Sequence, residues 1–157
     1  MPSSNSSVNV QLVPRSDVGI TAFLARDEAR GYYETAYVSG KILTHDGATV
    51  LFYTNRFDHA FKRERNGGGS GSKDEWDMLR LLRVEWIGHL IQGCVNGTEC
   101  YEVSQNGKSK RLYIVDSERY ICWLEPSPSG WRFSTAYCAM LYQLKKYRKR
   151  AKLIWRR

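Results

Sequence analysis

The chain has no acidic residue after Glu125. From Pro126 to Arg157 it carries nine lysines and arginines (Arg132, Lys145, Lys146, Arg148, Lys149, Arg150, Lys152, Arg156 and Arg157), so its last fifth cannot neutralise itself. The net charge of +8 resides there entirely, because residues 1–125 hold 15 basic against 16 acidic side chains. Such a segment predicts a polyanionic partner, and nucleic acid is the commonest one.

Other shortages narrow the chemistry. The four cysteines and three histidines form no CxxC pair and no CxxC…HxxxH spacing, which excludes the common structural zinc sites. Walker, GxSxG, HExxH and dinucleotide motifs are absent. Asp58, Asp74 and Asp77 do not make a Mg²⁺ carboxylate set, so the sequence predicts no metal and no cofactor. No apolar run approaches the roughly 20 residues of a membrane span. Without a signal-peptide pattern, Cys94, Cys100, Cys122 and Cys138 read as reduced thiols of a cytoplasmic protein. Asn96-Gly97-Thr98 then reads as a turn instead of a glycosylation site.

Hydrophobic residues at 42% and aromatics at 13% suffice for one folded domain over residues 15–157. Residues 1–14, Ser/Asn-rich at their start, are expected to be disordered or frayed. Val18, Ala22, Ala25, Ala29 and Tyr33 recur at helical spacing behind Ser16 or Asp17. Lys41–Thr44 and Ala48–Tyr53 flank His45-Asp46-Gly47, a hairpin signature. Residues 66–72 (NGGGSGS) have the composition of a flexible loop. Trp76, Leu79, Leu82, Trp86 and Leu90 then predict a helix over 74–92 with a break near Arg83 to Trp86.

After Glu99 the period changes. Residues 99–104, 110–115, 120–125 and 131–137 are short β-branched and aromatic runs separated by turn signals, which predicts a four-stranded antiparallel meander. A basic helix over 138–155 is expected to follow, with Met140, Leu144, Tyr147, Ala151 and Ile154 as its apolar stripe. The fold class is α+β.

Candidate chemistry sits in three separate segments. If its segment is helical, His59 shares a face with Lys62 and Arg63, and cations beside an imidazole favour its basic form. Arg80 and Arg83 flank the apolar stripe of their helix, and guanidinium suits phosphate because it offers forked donors and keeps its charge. In the last strand, alternation puts Trp131, Phe133, Thr135 and Tyr137 on one face and Arg132, Ser134 and Ala136 on the other. Ser134 and Thr135 can therefore serve one site only if the strand bulges or ends there. Each segment also has a plain structural reading: an edge histidine, surface ion pairs such as Arg80 with Asp77 or Asp74, and a β-forming threonine.

The hairpin leading to FDHAF, the helix RLLRVEWIGHLI, the strands RLYIV and RYICWLE and the final WRFSTAY together resemble the barnase–EndoU–colicin–RelE nuclease superfamily, in particular its prophage and mobile-element branches. The resemblance covers roughly Lys41 to Tyr137. It implies N-terminal helices packed on a four-stranded antiparallel sheet and a metal-independent, toxin-like RNase. His59, Arg80 or Arg83, Ser134, Thr135 and Tyr137 would be its catalytic groups. The implied reaction is 2′-OH transesterification, with Lys62 and Arg63 stabilising transition-state charge and Trp131 stacking a base. Arg132, Lys145, Lys146, Lys149 and Arg150 would hold the RNA, for example tRNA or ribosome-associated RNA, and a protein inhibitor or antitoxin is an implied partner. The alternative is a non-enzymatic nucleic-acid-binding module that works through the basic C-terminal helix.

Overall fold

The computed structural model describes residues 8–63 and 75–157. The Gly/Ser stretch 66–72, Asp74 and the first seven residues lie outside the described residues. Helix α1 (Ala22–Tyr32) begins where the Thr21 hydroxyl accepts from the Leu24 amide, and it runs on as a π-helical turn over Tyr33–Val38. A hairpin follows, β1 (Ile42–Leu43) and β2 (Thr49–Leu51), then the short helix α2 (Arg56–Ala60). Strands β3 (Lys62–Arg63) and β4 (Glu75–Trp76) form a separate two-stranded ribbon. The predicted 74–92 helix is corrected at its start, where Glu75–Trp76 is strand β4, and its remainder is two helices, α3 (Met78–Leu81) and α4 (Val84–Ile91), broken at Leu82–Arg83. Then come β5 (Thr98–Gln105), β6 (Lys108–Val115), β7 (Tyr120–Ser127) and β8 (Gly130–Cys138), helix α5 (Leu141–Lys149) and strand β9 (Ala151–Arg156).

The four-stranded antiparallel sheet expected from the sequence is corrected here. The sheet has seven strands in the order β1-β2-β8-β7-β6-β5-β9, is mixed, and curls into a half-barrel. The four predicted strands are its centre. Strand β2 joins them parallel to β8, through Thr49–Gly130, Val50–Trp131 and Leu51–Arg132, a pairing of distant segments that no local pattern encodes. The basic helix expected over 138–155 is also corrected: α5 ends at Lys149, and Ala151–Arg156 pairs antiparallel with β5.

Two cores result. The inner face of the sheet packs on α1, α2, α3 and α4 around a cluster of rings, with Tyr33 in edge contact with Tyr37, Phe52, Phe57 and Phe61. The outer face buries Tyr101, Val103, Leu112, Ile114 and Ile121 with Ala139 and Leu144, and Trp123, Tyr137 and Tyr147 pack against them. Residues 8–14 lie along the helices: the Val10 amide donates to the Cys94 carbonyl and Trp86 Nε1 to the Val13 carbonyl.

The hairpin turn carries the residue that draws the two sheet edges together. His45 stacks on Trp155 of β9 with ring centroids 4.2 Å apart, and its Nδ1 lies 2.8 Å from the Tyr113 hydroxyl. Next to it, Asp46 forms a two-pronged pair with Arg111 at 2.7 and 2.8 Å. Burial pushes the His45 imidazole below its ordinary value, outweighing the smaller upward pull of Asp46, while Arg111 also pushes it down. The folded chain thus holds His45 neutral where the unfolded chain begins to protonate it, near pH 6.5. Stability from this site is present above that pH and declines as pH falls toward the depressed folded value. His89, also lowered by burial, adds to the same trend. Urea denaturation between pH 7.5 and 5.5 should show the midpoint falling, and His45→Phe, which keeps the ring stack, should make that fall shallower. An equally steep fall in His45→Phe would reject the assignment.

Candidate functional site

Strand β8 is held by β7 along its whole length but by β2 only at Gly130–Arg132. From Phe133 onward its other edge meets α2 and α3. At that point it bulges: Trp123 pairs with Thr135 and Leu124 with Phe133, leaving Ser134 as the extra residue. The bulge resets the alternation. Phe133 and Ala136 enter the inner core, whereas Tyr137 packs on the outer one. The expected common face of Phe133, Thr135 and Tyr137 is thus corrected.

Ser134 belongs to a charged cluster. Arg56, from α2, donates through Nε to the Ser134 carbonyl at 2.6 Å and through Nη2 to its hydroxyl at 3.2 Å, filling the place of a strand neighbour. The Ser134 hydroxyl in turn donates to Glu125 Oε1 at 3.4 Å. Glu125 also accepts from Arg132 at 2.8 Å and has the Lys110 ammonium at 4.0 Å. The Arg132 hydrogen bonds hold its carboxyl below the usual carboxylate range, so it stays ionised at neutral pH. One carboxylate thus sits among three cations, lining a cleft of about 250 Å³ with Tyr53, Asn55 and Phe133.

A second cluster is built on Arg80. Its guanidinium donates to the carbonyls of Ala60 at 3.0 Å and Lys62 at 3.2 Å, one on either side of the turn that follows α2. It also pairs with Asp77 at 3.1 Å and lies over the Tyr137 ring, 4.9 Å from its centre. The Tyr137 and Tyr147 hydroxyls are 2.8 Å apart, which joins β8 to α5. Burial, reinforced by the Tyr137 hydroxyl, pushes the Tyr147 phenol up. Among the described residues the Thr135 hydroxyl is buried without a hydrogen-bond partner, as are those of Thr98 and Ser127 elsewhere in the sheet, whereas Arg80 Nε faces the Asp77 carboxylate. An unmet buried polar atom costs about 1–3 kcal/mol.

The structure therefore brings three of the distant segments together through Arg80: the chain flanking Ala60, helix α3 and the end of β8. His59 is exposed on α2, adjacent to the anchored Ala60 carbonyl. The shared helical face expected for His59, Lys62 and Arg63 is corrected, because α2 ends at Ala60. Lys62 and Arg63 lie in the ribbon, with the Lys62 ammonium 4.6 Å from the centre of the Trp76 ring and Arg63 paired to Glu75 at 3.3 Å. Arg83 lies near the end of β8, where its charge acts on the Cys138 thiol. It donates to the Leu79 carbonyl at 3.0 Å and stacks over Trp86. Trp131 lies under Arg111, 4.8 Å away, and packs against the inner core.

Sequence reasoning missed Arg56, Glu125, Trp123 and Tyr147. Glu125 had a legible signal, since strands 120–125 and 131–137 adjoin and place it opposite Arg132. Arg56 had none, because its role depends on where β8 loses its neighbour. Compared with protein-family models, curated proteins and solved structures, the chain matches none. Among the described residues no helix is long and apolar enough to cross a membrane, and no group of three or more His, Cys, Asp and Glu could hold a metal ion.

Proposed function

We propose that this chain is a metal-independent RNA endonuclease that cleaves by attack of a 2′-OH on its own phosphodiester. The observation that carries the proposal is the placement of Arg80, which grips the backbone carbonyl next to His59 while lying on Tyr137, so that one fixed cation joins the helix bearing His59 to the end of β8. His59 is exposed on α2 and carries an imidazole, the side chain most often used for proton transfer. In this reading His59 takes the 2′-OH proton or returns one to the leaving 5′-oxygen. Arg80 supplies charge to the five-coordinate phosphorus, and Tyr137 positions its oxygens. The Glu125 cluster, with Arg56, Lys110 and Arg132, would bind the neighbouring phosphate. RNA, possessing the 2′-OH, is the substrate and DNA is excluded.

The purified chain, incubated with total RNA in EDTA, should yield fragments ending in 2′,3′-cyclic phosphate, and His59→Ala should slow cleavage by about 100-fold or more. Linear 3′-hydroxyl ends, or full activity in His59→Ala, would end this reading. RNA binding without any cleavage would favour instead a non-enzymatic RNA-binding module. A toxin-type role with a protein inhibitor belongs to the proposal, because an enzyme of this kind would damage the RNA of the cell that makes it.

A further inference from the structure

Helix α5 divides its cations. Arg148 is fully engaged, donating to Glu99 at 2.7 Å, to Asp116 at 2.7 and 2.9 Å and to the Tyr101 hydroxyl at 3.0 Å. Lys146, Lys149 and Arg150 are exposed, and among the described residues none makes an ion pair. At spacings of three and four they share one side of the helix and its end. There they rim a cleft of about 300 Å³ between α5 and the outer face of the sheet, lined also by Val103, Ser104, Gln105, Trp123 and Tyr147.

Trp123 is half-buried on that face, fixed edge-on by Tyr147 at 5.3 Å. It is the register partner of Thr135, whose hydroxyl is buried and unmet. Tyr147 contacts the Tyr137 hydroxyl, and Tyr137 carries Arg80 on its ring. The aromatic-floored, cation-rimmed cleft is therefore continuous, residue by residue, with the Arg80 region.

We propose that this cleft is a subsite for single-stranded RNA, in which Trp123 stacks a base while Lys146, Lys149 and Arg150 hold the flanking phosphates. It rests on the reading of the chain as RNA-directed and adds the strandedness of the substrate and the surface that carries its next nucleotides. A duplex does not satisfy this geometry, because its bases are already stacked on one another and none is free to lie on an indole. A single strand offers a free base face every nucleotide, and a stacking platform with nearby cations accepts it with little regard for sequence.

The test uses the full chain and a fluorescein-labelled U12 carrying 2′-O-methyl groups, which cannot be cleaved by 2′-OH attack. Trp123→Ala should weaken binding roughly 10-fold, and Trp123→Tyr should restore most of it. The triple substitution Lys146→Ala, Lys149→Ala, Arg150→Ala should lower the slope of log affinity against log salt by about 2. These three side chains are exposed, so the triple variant probes the cleft even if Trp123→Ala fails to fold. Unchanged affinity and salt slope in the triple variant would overturn the proposal, as would equal affinity for the duplex form. So would capture by anionic lipid vesicles without oligonucleotide binding. Cleavage of ordinary RNA is scored separately. Binding lost in these variants while the parent chain cleaves nothing leaves the subsite standing and removes the nuclease reading. Cleaving parent with indifferent variants does the reverse.

Discussion

Arg80→Ala should lower the unfolding free energy by about 3 kcal/mol and reduce RNA cleavage by at least about 100-fold. The guanidinium is largely enclosed, at 14% exposed, and Asp77 beside it is 17% exposed. Truncation leaves the carbonyls of Ala60 and Lys62 without their donor, Asp77 without its counter-charge and the Tyr137 ring uncovered. Each loss is worth about 1–2 kcal/mol in a partly buried setting, and solvent entering the gap recovers some of it. Arg80→Lys keeps a charge near Asp77 and Tyr137, yet an ammonium cannot repeat the fork to two carbonyls. It should recover about half the stability and little of the cleavage. Urea denaturation followed by circular dichroism, with cleavage measured where each variant is folded, separates the two effects. A stable Arg80→Ala that cleaves normally would show that Arg80 neither clamps the turn after α2 nor serves the phosphate.

The local elements were legible because their signals are local. Asp46-Gly47 fixed the hairpin, Gly47 taking φ +86° as a tight turn demands. The aromatic and β-branched runs between 99 and 137 fell within strands β5 to β8. The errors occurred where two periods coincide or where partners are remote. Tyr147, Ala151 and Ile154 fit a helical stripe, but Ala151, Leu153 and Trp155 also alternate, and the sequence alone does not rank a period of two above 3.6 over so few residues. The open edge of β5 settles it, since an unpaired strand edge offers β9 a full ladder. The parallel partnership of β2 with β8 joins residues some eighty positions apart in sequence. No turn or pattern announces it.

The candidate site was legible in kind and not in arrangement. Arg80 and Tyr137 were named from sequence and are in contact, but the groups that complete the picture came from geometry. Alternation alone forbade Ser134 and Thr135 a common site. The bulge at Ser134 does not bring them together, since the Ser134 hydroxyl goes to Arg56 and Glu125 while Thr135 sits opposite Trp123. The basic tail, which charge counting treats as a separate docking surface, is tied to the strand-end hydroxyls through Tyr147. The catalytic and binding readings are therefore separable only by substitutions that spare the fold.

That requirement makes the last segment decisive. A chain ending at Arg150 should fail to fold cooperatively, showing no sigmoidal urea transition and binding a hydrophobic dye, whereas the triple alanine variant at Lys146, Lys149 and Arg150 should unfold within a few degrees of the parent. If residues 138–155 were one helix, removing residues 151–157 would shave off its frayed end and cost on the order of 1 kcal/mol. In the structure the same cut removes a sheet strand paired from Glu99 to Val103 of β5. It also removes Trp155, whose ring covers His45 and comes so close to Gly93 that a β-carbon there would lie 2.9 Å from it. Arg156 leaves Glu99 at 3.1 Å, and Arg157 leaves the Gly93 carbonyl at 2.7 Å and Asn96 at 2.8 Å. Loss of a packed tryptophan alone costs about 3–5 kcal/mol. Together with the unpaired edge of β5 this approaches the roughly 5–15 kcal/mol that holds a domain of this size together. A truncated chain that melts within a few degrees of the parent would show that β9 does not close the half-barrel, and the stack of His45 on Trp155 would lose its place in the fold.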